Sequence, residues 1–511
     1  MRFTPATALE QLDAEALVAF VHPGASLQPA LAAWDAARGG TLAAVLTAGD
    51  LAGEASALLP FWLPGGPVRR VVVASLGKAG GLDLEGFRAA AGEAARCVQE
   101  LGHRSAGVLL PDPAALGWAA GEAPSWDALA EAIAEGAGLA TFRYSRGQKA
   151  AQDPAPGLET VVPLAPDEHA ALVDAAFGRA GKLVACIDVA RTWIVRPGND
   201  LTPARWADET RSEAERLGLS VEILDEHALQ QRGFAAITAI ARGSERPPRL
   251  MVVHHRGGAP DEAPIAIVGK GVTFDSGGIG IKPSQGMERM KYDMAGGAAA
   301  LAIVFAAAQL GLPLNVTAVV PAVENMPSAH ALVPNEIVTT YGGLTIEIND
   351  TDAEGRVILA DAIAFAARDL GARAIVDMAT LTGAIGIALG REYAGVMGTD
   401  PGLVAALCKA SERSGEKLWE LPLGPAHHNR FDEALRSDLA DMLNYPGRDA
   451  SAITAAAFLK PFAAGKPWAH FDIAGVGWSN AARGHRIKGP TAAPVRTVLA
   501  WLRAGAPFGE G

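Results

Sequence analysis

Two short stretches of the chain concentrate side chains capable of chemistry. Between residues 270 and 293 stand Lys270, Asp275, Lys282, Met290 and Asp293, and between 349 and 356 stand Asp350, Asp352, Glu354 and Arg356. Carboxylates packed this densely raise one another's pKa, and a divalent cation is the usual reason to keep them together. Hard oxygen ligands with one amine suit Zn, Mn, Mg or Co, whereas the absence of H-E-x-x-H excludes a zincin arrangement. An extended loop would place Asp350, Asp352 and Glu354 on one face.

Each stretch follows an apolar burst that reads as a strand. Ile265–Val268 precedes Lys270, and Leu344–Ile348 precedes the acidic loop, after which Val357–Ala367 reads as a helix. Lys270 therefore sits at the carboxyl end of a strand, the edge at which open α/β sheets bind ligands. Gly277, Gly278 and Gly280 allow a tight turn there. Further strands are expected at Leu219–Leu224, Leu250–His254, Val316–Val320 and Ala374–Met378, alternating with helices, which predicts a mostly parallel sheet covered by helices. Ahead of them, Leu17–Val21, Leu42–Leu46, Val68–Leu76 and Gly107–Leu110 read as strands and Leu84–Leu101 as a helix, while Ser145–Gly157 reads as an exposed loop. Asp167–Ile194 reads as a long helix. The fold class is thus α/β: an N-terminal α/β domain at 1–165, a linking helix at 166–196 and a catalytic α/β domain at 197–511.

The 511 residues exceed the ~250–300 at which single cores stop growing, in keeping with two domains. A net charge of −12 makes nucleic acid an unlikely partner, since binding it draws on basic surface. Cys97, Cys186 and Cys408 are odd in number and far apart, which fits neither a disulfide framework nor a zinc knuckle and does fit a reducing cytoplasm. Glu10, Asp13 and Glu15 break any signal-peptide core. The uncharged run Met294–Val323 is interrupted by Gly311, Pro313 and Pro321, so it reads as a buried helix, Ala298–Leu310, followed by a buried strand, with no membrane span.

The segments V-G-K-G-V-T-F-D-S-G-G, M-K-Y-D-M and T-D-A-E-G-R-V resemble the signatures of the leucyl aminopeptidase (cytosol aminopeptidase) family of dimetal peptidases. The likeness continues in A-T-L-T-G at 379–383, A-D-M at 440–442, I-T-A-A-A-F-L at 453–459 and H-F-D-I-A-G at 470–475. Several motifs in one order are far more specific than one. The resemblance implies an enzyme that hydrolyses N-terminal, preferably leucine-like, residues from peptides through a metal-bridging water. It implies two divalent metal ions, Mn or Zn, with Asp275 and Glu354 bridging them, Asp352 completing one site and Lys270 with Asp293 the other. Lys282 would polarise the scissile carbonyl, Arg356 would hold a bicarbonate as general base, and Met290, Thr380 and Gly383 would line the first specificity pocket, for which plain core packing is the competing reading. A cytoplasmic homohexamer is expected on the same ground. The family usually has Asn where Asp350 stands, which makes Asp350 a candidate substrate-binding residue; Gly280 and Asp449–Ser451 also depart from its pattern. A nucleic-acid-binding role with vestigial chemistry and a dimetal phosphoesterase are the competing functions.

Overall fold

The computed structural model describes residues 1–511 except 6, 25–26, 48–50, 52–54, 64–67, 120, 122, 145–156, 425–429 and 510–511, so the expected loop at Ser145–Gly157 lies almost wholly outside the described residues. The chain divides into two compact units, one of residues 1–188 with 480–488, the other of 189–479 with 489–511. The helix Asp167–Val195 carries the chain across the first boundary.

The first unit is built on a six-stranded sheet in the order Arg2–Phe3, Thr160–Leu164, Ser105–Leu109, Ala16–Val21, Arg70–Leu76, Ala55–Trp62, parallel except at the last strand. Its central strands Ala16–Val21 and Arg70–Leu76 are mostly apolar and buried on both faces, as a helix-covered parallel sheet requires. Leu84–Glu100 is the expected helix; Asp83 caps it by accepting the Gly86 N–H. The segment 480–488 packs against this helix so closely that a Cβ on Gly92 would lie 2.6 Å from the His485 Cα. Leu42–Leu46 is not a strand. Thr41–Thr47 is a helix, and the buried Asp35 carboxylate accepts the N–H groups of Leu42 and Ala43 at 2.9 Å each, satisfying donors that the first turn of a helix leaves free.

The second unit carries a larger sheet. Its order is Leu418–Glu420, Ala394–Gly398, Trp468–Asp472, Ala374–Ala379, Ile265–Gly269, Asn315–Asn325, Arg249–Arg256, Ser220–Leu224, with Gly271–Asp275 also paired to Asn315–Asn325. The pairs around Ile265–Gly269 are parallel, and three pairs toward the edges are antiparallel. The expected strand at Leu344–Ile348 forms over Thr345–Glu347 but belongs to a separate three-stranded sheet with Ile337–Thr339 and Met442–Leu443. Two helices cover the central strands. Ala295–Gln309 is buried from Ala295 to Ala307, and Glu354–Arg368 is buried through Ala367. Met287–Gln309 is long and apolar enough to cross a membrane by length and composition, but most of it is core. The sheet approaches this helix at glycine: a Cβ on Gly296 would sit 2.1 Å from the Met378 carbonyl oxygen.

Candidate active site

Lys270 lies in the break between two strands, Ile265–Gly269 and Gly271–Asp275. Its N–H donates to the Met378 carbonyl at 3.1 Å, and its own carbonyl accepts the Gly297 N–H at 2.7 Å. The backbone on both sides is thereby fixed, and the side chain is 4% exposed. Its Nζ stands 2.7 Å from Asp293 Oδ2, 2.7 Å from Glu354 Oε1, and donates to the Thr380 carbonyl at 3.2 Å. The helix that starts at Glu354 can come this near only because residue 355 is glycine, where a Cβ would meet the Lys270 Cε at 2.5 Å.

Asp275 ends the second of these strands. Its Oδ1 accepts the Gly277 N–H and the Asn325 amide, each at 2.9 Å, while Oδ2 lies 2.7 Å from Lys282 Nζ. Gly277 and Gly278, with φ of +89° and +68°, turn the chain so that Lys282 returns to Asp275 and Asp352; Gly280 does not adopt a positive φ. Ligating atoms of Asp275, Asp293 and Glu354 all lie within 4.8 Å of one another. Thr380 adds a hydroxyl that donates to Asp293 Oδ1 at 2.6 Å.

The charges do not balance quietly. Burial works against the Lys270 ammonium, but Asp293, Glu354 and Asp275 outweigh it and hold its pKa above the ordinary lysine value. Lys282 is held up in the same way, chiefly by Asp275. Burial pushes the Asp293 carboxyl well above its ordinary value against the pull of Lys270, with Asp275 and Glu354 adding to the rise. Burial likewise lifts Asp352 to about 7, with Lys282 opposing. Among the described residues Glu354 Oε2 is buried with no hydrogen-bond partner, and Asp293 Oδ2 and Asp352 Oδ1 face lysines without a hydrogen bond of sound geometry. Buried carboxylate oxygens in that condition fit a divalent cation, which would supply the missing partners.

Arg356 is buried two residues further along the helix. It donates to the Asn444 carbonyl at 2.9 Å, lies 5.7 Å from the Tyr445 ring centroid, and its Nε has no partner among the described residues. Burial lowers its pKa to about 10, with Glu354 opposing. A guanidinium with a buried donor to spare fits an oxyanion.

A cavity of about 680 Å³ opens onto this cluster, lined by Lys270, Asp275, Lys282, Asp293 and Asp352 at the charged part, and by Met290, Thr380 and Gly383 among its other residues. Asp350 is not on its wall. The loop is not extended as supposed: Asp350 Oδ1 turns back to accept the Asp352 N–H at 2.9 Å, and its backbone is held on both sides by Asn444. Sequence reasoning missed the residues that hold the loops. Asn325 joins Asp275 to the Thr351 carbonyl, Asn444 ties the acidic loop to Arg356, and Asp472 gathers the amides of Leu381, Thr382 and Ala474. Asp472 stood in H-F-D-I-A-G and Asn444 two residues past A-D-M, so both were within or beside segments already singled out.

Two family models match this chain: the catalytic domain of the cytosol aminopeptidase family over residues 188–499, and its N-terminal domain over 18–150. The chain belongs to the cytosol aminopeptidase family. A probable cytosol aminopeptidase of Syntrophotalea carbinolica is 42% identical over 478 residues, covering 92% of this chain and 93% of the relative, and one of Halorhodospira halophila is 41% identical over 495 residues, covering 96% of each. Among solved structures, the bottromycin maturation enzyme BotP in complex with Mn is similar with a TM-score of 0.82 at 34% identity, covering 97% of this chain and 100% of that one. A tomato leucine aminopeptidase mutant has a TM-score of 0.82 at 30% identity, covering 98% and 95%. The family is one of metal-dependent aminopeptidases, and the two-domain α/β fold is the fold of these enzymes.

Proposed function

We propose that this chain is a dimetal aminopeptidase whose ions are held by Lys270, Asp275, Asp293, Asp352 and Glu354, and that it removes bulky apolar residues such as leucine from peptide N-termini. The observation that carries the reading is the buried cluster of Asp275, Asp293 and Glu354 around Lys270, with Glu354 Oε2 unpartnered among the described residues, beside a cavity whose wall includes Lys270, Asp275 and Asp293 together with Met290, Thr380 and Gly383. Two divalent ions, Mn or Zn, would acidify a bridging water and polarise the scissile carbonyl. Lys282 would donate to the oxygen of that carbonyl as charge develops on it. Arg356 would orient a bicarbonate that takes the proton, because a planar fork of donors matches a planar anion. Met290, Thr380 and Gly383 would form the pocket for the first side chain, and Thr380 also steadies Asp293 and Lys270. The substrate's free α-amine would enter among the carboxylates, so cleavage is counted from the N-terminus.

We assign 1–165 an architectural role, 166–196 the linking helix and 197–511 the catalysis, with the enzyme working in the cytoplasm as a homohexamer. The test is turnover of leucine p-nitroanilide and its N-acetyl derivative before and after dialysis against a chelator and reloading with Mn or Zn. Turnover of the free amine alone, lost with the metal and regained on reloading, is the expected result. Activity indifferent to chelation, or cleavage of the acetylated compound, overturns the reading.

A further inference from the structure

The cavity wall holds three carboxylates, Asp275, Asp293 and Asp352, and three cations, Lys270, Lys282 and Arg391. The two lysines account for all three acids: Lys270 faces Asp293, and Lys282 faces Asp275 and Asp352. Arg391 is the cation left over. It follows the helix Gly383–Leu389, is exposed, and forms neither an ion pair nor a hydrogen bond with any of the described residues. It shares the wall with Met290, Thr380, Gly383 and Ile387, away from the acids in sequence and in pairing. An arginine stem covers apolar surface well while its head stays wet, so such a residue can close an otherwise apolar pocket and still present a charge. An unpaired guanidinium in a ligand cavity is a ready receptor for a carboxylate, which it can bind through two parallel N–H bonds.

We propose that Arg391 is a specificity-determining residue that admits peptides whose first side chain ends in a carboxylate, glutamate above all, beside the leucine-like residues that the same pocket takes. The inference rests on the aminopeptidase reading above and on the assignment of Met290, Thr380 and Gly383 to the first side chain. A glutamate chain would lay its methylenes along Met290 and Ile387 and meet Arg391 with its carboxylate. A lysine or arginine first residue meets a like charge there and is disfavoured.

The experiment compares the metal-loaded full chain with Arg391→Met and Arg391→Glu on glutamyl, leucyl and lysyl p-nitroanilides, read as ratios of kcat/KM so that a loss shared by all substrates cancels. Arg391→Met is expected to lower the glutamyl-to-leucyl ratio about tenfold, which is about 1.4 kcal/mol. Arg391→Glu should raise the lysyl-to-glutamyl ratio further still, and added salt should shrink the wild-type preference. Calorimetric affinity for free L-glutamate should fall in both variants relative to that for L-leucine. A second pair, Leu-Gly and its amide, separates the other source of a carboxylate: if the variants change that ratio and not the glutamyl one, Arg391 reads the peptide's C-terminus and the proposal is wrong. Wild-type turnover of leucyl substrate with ratios unmoved in both variants overturns this inference alone, while failure to hydrolyse any free-amine anilide removes the aminopeptidase reading itself.

Discussion

Replacing Asp472 should loosen the wall that holds two of the clustered side chains, although Asp472 belongs to none of the motif positions assigned to metal or substrate. Its carboxylate is fully buried at the end of the strand Trp468–Asp472. Oδ1 accepts the N–H groups of Leu381, Thr382 and Ala474 at 3.3, 3.4 and 3.2 Å, and Oδ2 accepts the Thr382 hydroxyl at 2.6 Å. Thr382 in turn caps the helix Gly383–Leu389, and Thr380, two residues earlier, receives Lys270 and donates to Asp293. Truncation to alanine deletes one strong bond and three long ones and leaves buried donors unpaired. Each stranded donor costs about 1–3 kcal/mol, but the gain from no longer burying a carboxylate offsets part of the sum, leaving a net loss of about 2–3 kcal/mol. For a unit of this size that lowers Tm on the order of 5 °C. Asparagine keeps an acceptor toward the amides and donates to the Thr382 oxygen, so it should lose less than half as much. If the pin also positions the site, Asp472→Ala lowers kcat/KM at least tenfold with metal content measured alongside, and Asp472→Asn restores most of it. Calorimetry with steady-state kinetics decides. A variant destabilised as expected but with unchanged kcat/KM would show that Thr380 is held by something else, and the chain of contacts drawn from Asp472 to Lys270 would be refuted.

Lys282→Ala should reduce kcat by about 10² to 10³ while retaining metal, the size seen for losing one oxyanion donor, whereas Lys270→Ala should lose metal; equal metal loss in both contradicts this division. Gly355→Ala drives a methyl into the Lys270 side chain, which carboxylates pin from two sides, so metal content should fall with little change in secondary structure by circular dichroism. Asp361 gives a pH prediction. Burial raises its carboxyl from the ordinary 3.8 to about 7, with the N–H groups of Tyr341, Ile237 and Ala236 opposing. The folded state therefore keeps a proton that the unfolded chain has released between pH 4 and 7, and stability falls as pH rises through that window, by up to about 4 kcal/mol. The stability difference between wild type and Asp361→Asn should accordingly shrink from pH 5 to pH 8; a difference that grows would show that the three N–H donors win over burial.

Local pattern carried most of the fold, and it failed where a distant residue decided. Strands such as Ile265–Gly269 and Arg70–Leu76 are dominated by buried apolar residues, so a parallel sheet followed from composition and alternation with helices. Leu42–Leu46 is apolar too, but a short apolar run does not distinguish strand from helix, and the arbiter was a side chain seven residues earlier, Asp35, capping the first turn. Thr345–Glu347 was legible as a strand and not as to its sheet, because its partner Met442–Leu443 lies almost a hundred residues on. Nothing in the run 480–488 announces that it packs on the helix Leu84–Glu100.

The candidate site divides along the same line. Lys270, Asp275, Asp293, Asp352 and Glu354 are legible because acids and an amine crowded beside strand ends and the start of a helix are expensive to bury without a purpose, so their types alone are informative. Asp350 looked equivalent to Asp352 and Glu354 on an extended-loop assumption. A carboxylate two residues before a free N–H has a cheaper choice, closing an Asx turn, and that local bond takes it off the shared face. The supporting polar residues were silent for the opposite reason. Apart from the bonds of Asn325 to Asp275 and of Asp472 to the Thr382 hydroxyl, Asn325, Asn444 and Asp472 tie the loops through backbone amides and carbonyls, which every residue possesses, so the partner's identity leaves little trace in the sequence. Arg391 belongs with neither group: an arginine after a helix-ending glycine is ordinary, and only the pairing of every carboxylate on the wall with a lysine singles it out. A side chain left without an ion pair or hydrogen bond among the described residues becomes visible only once the other partners are placed.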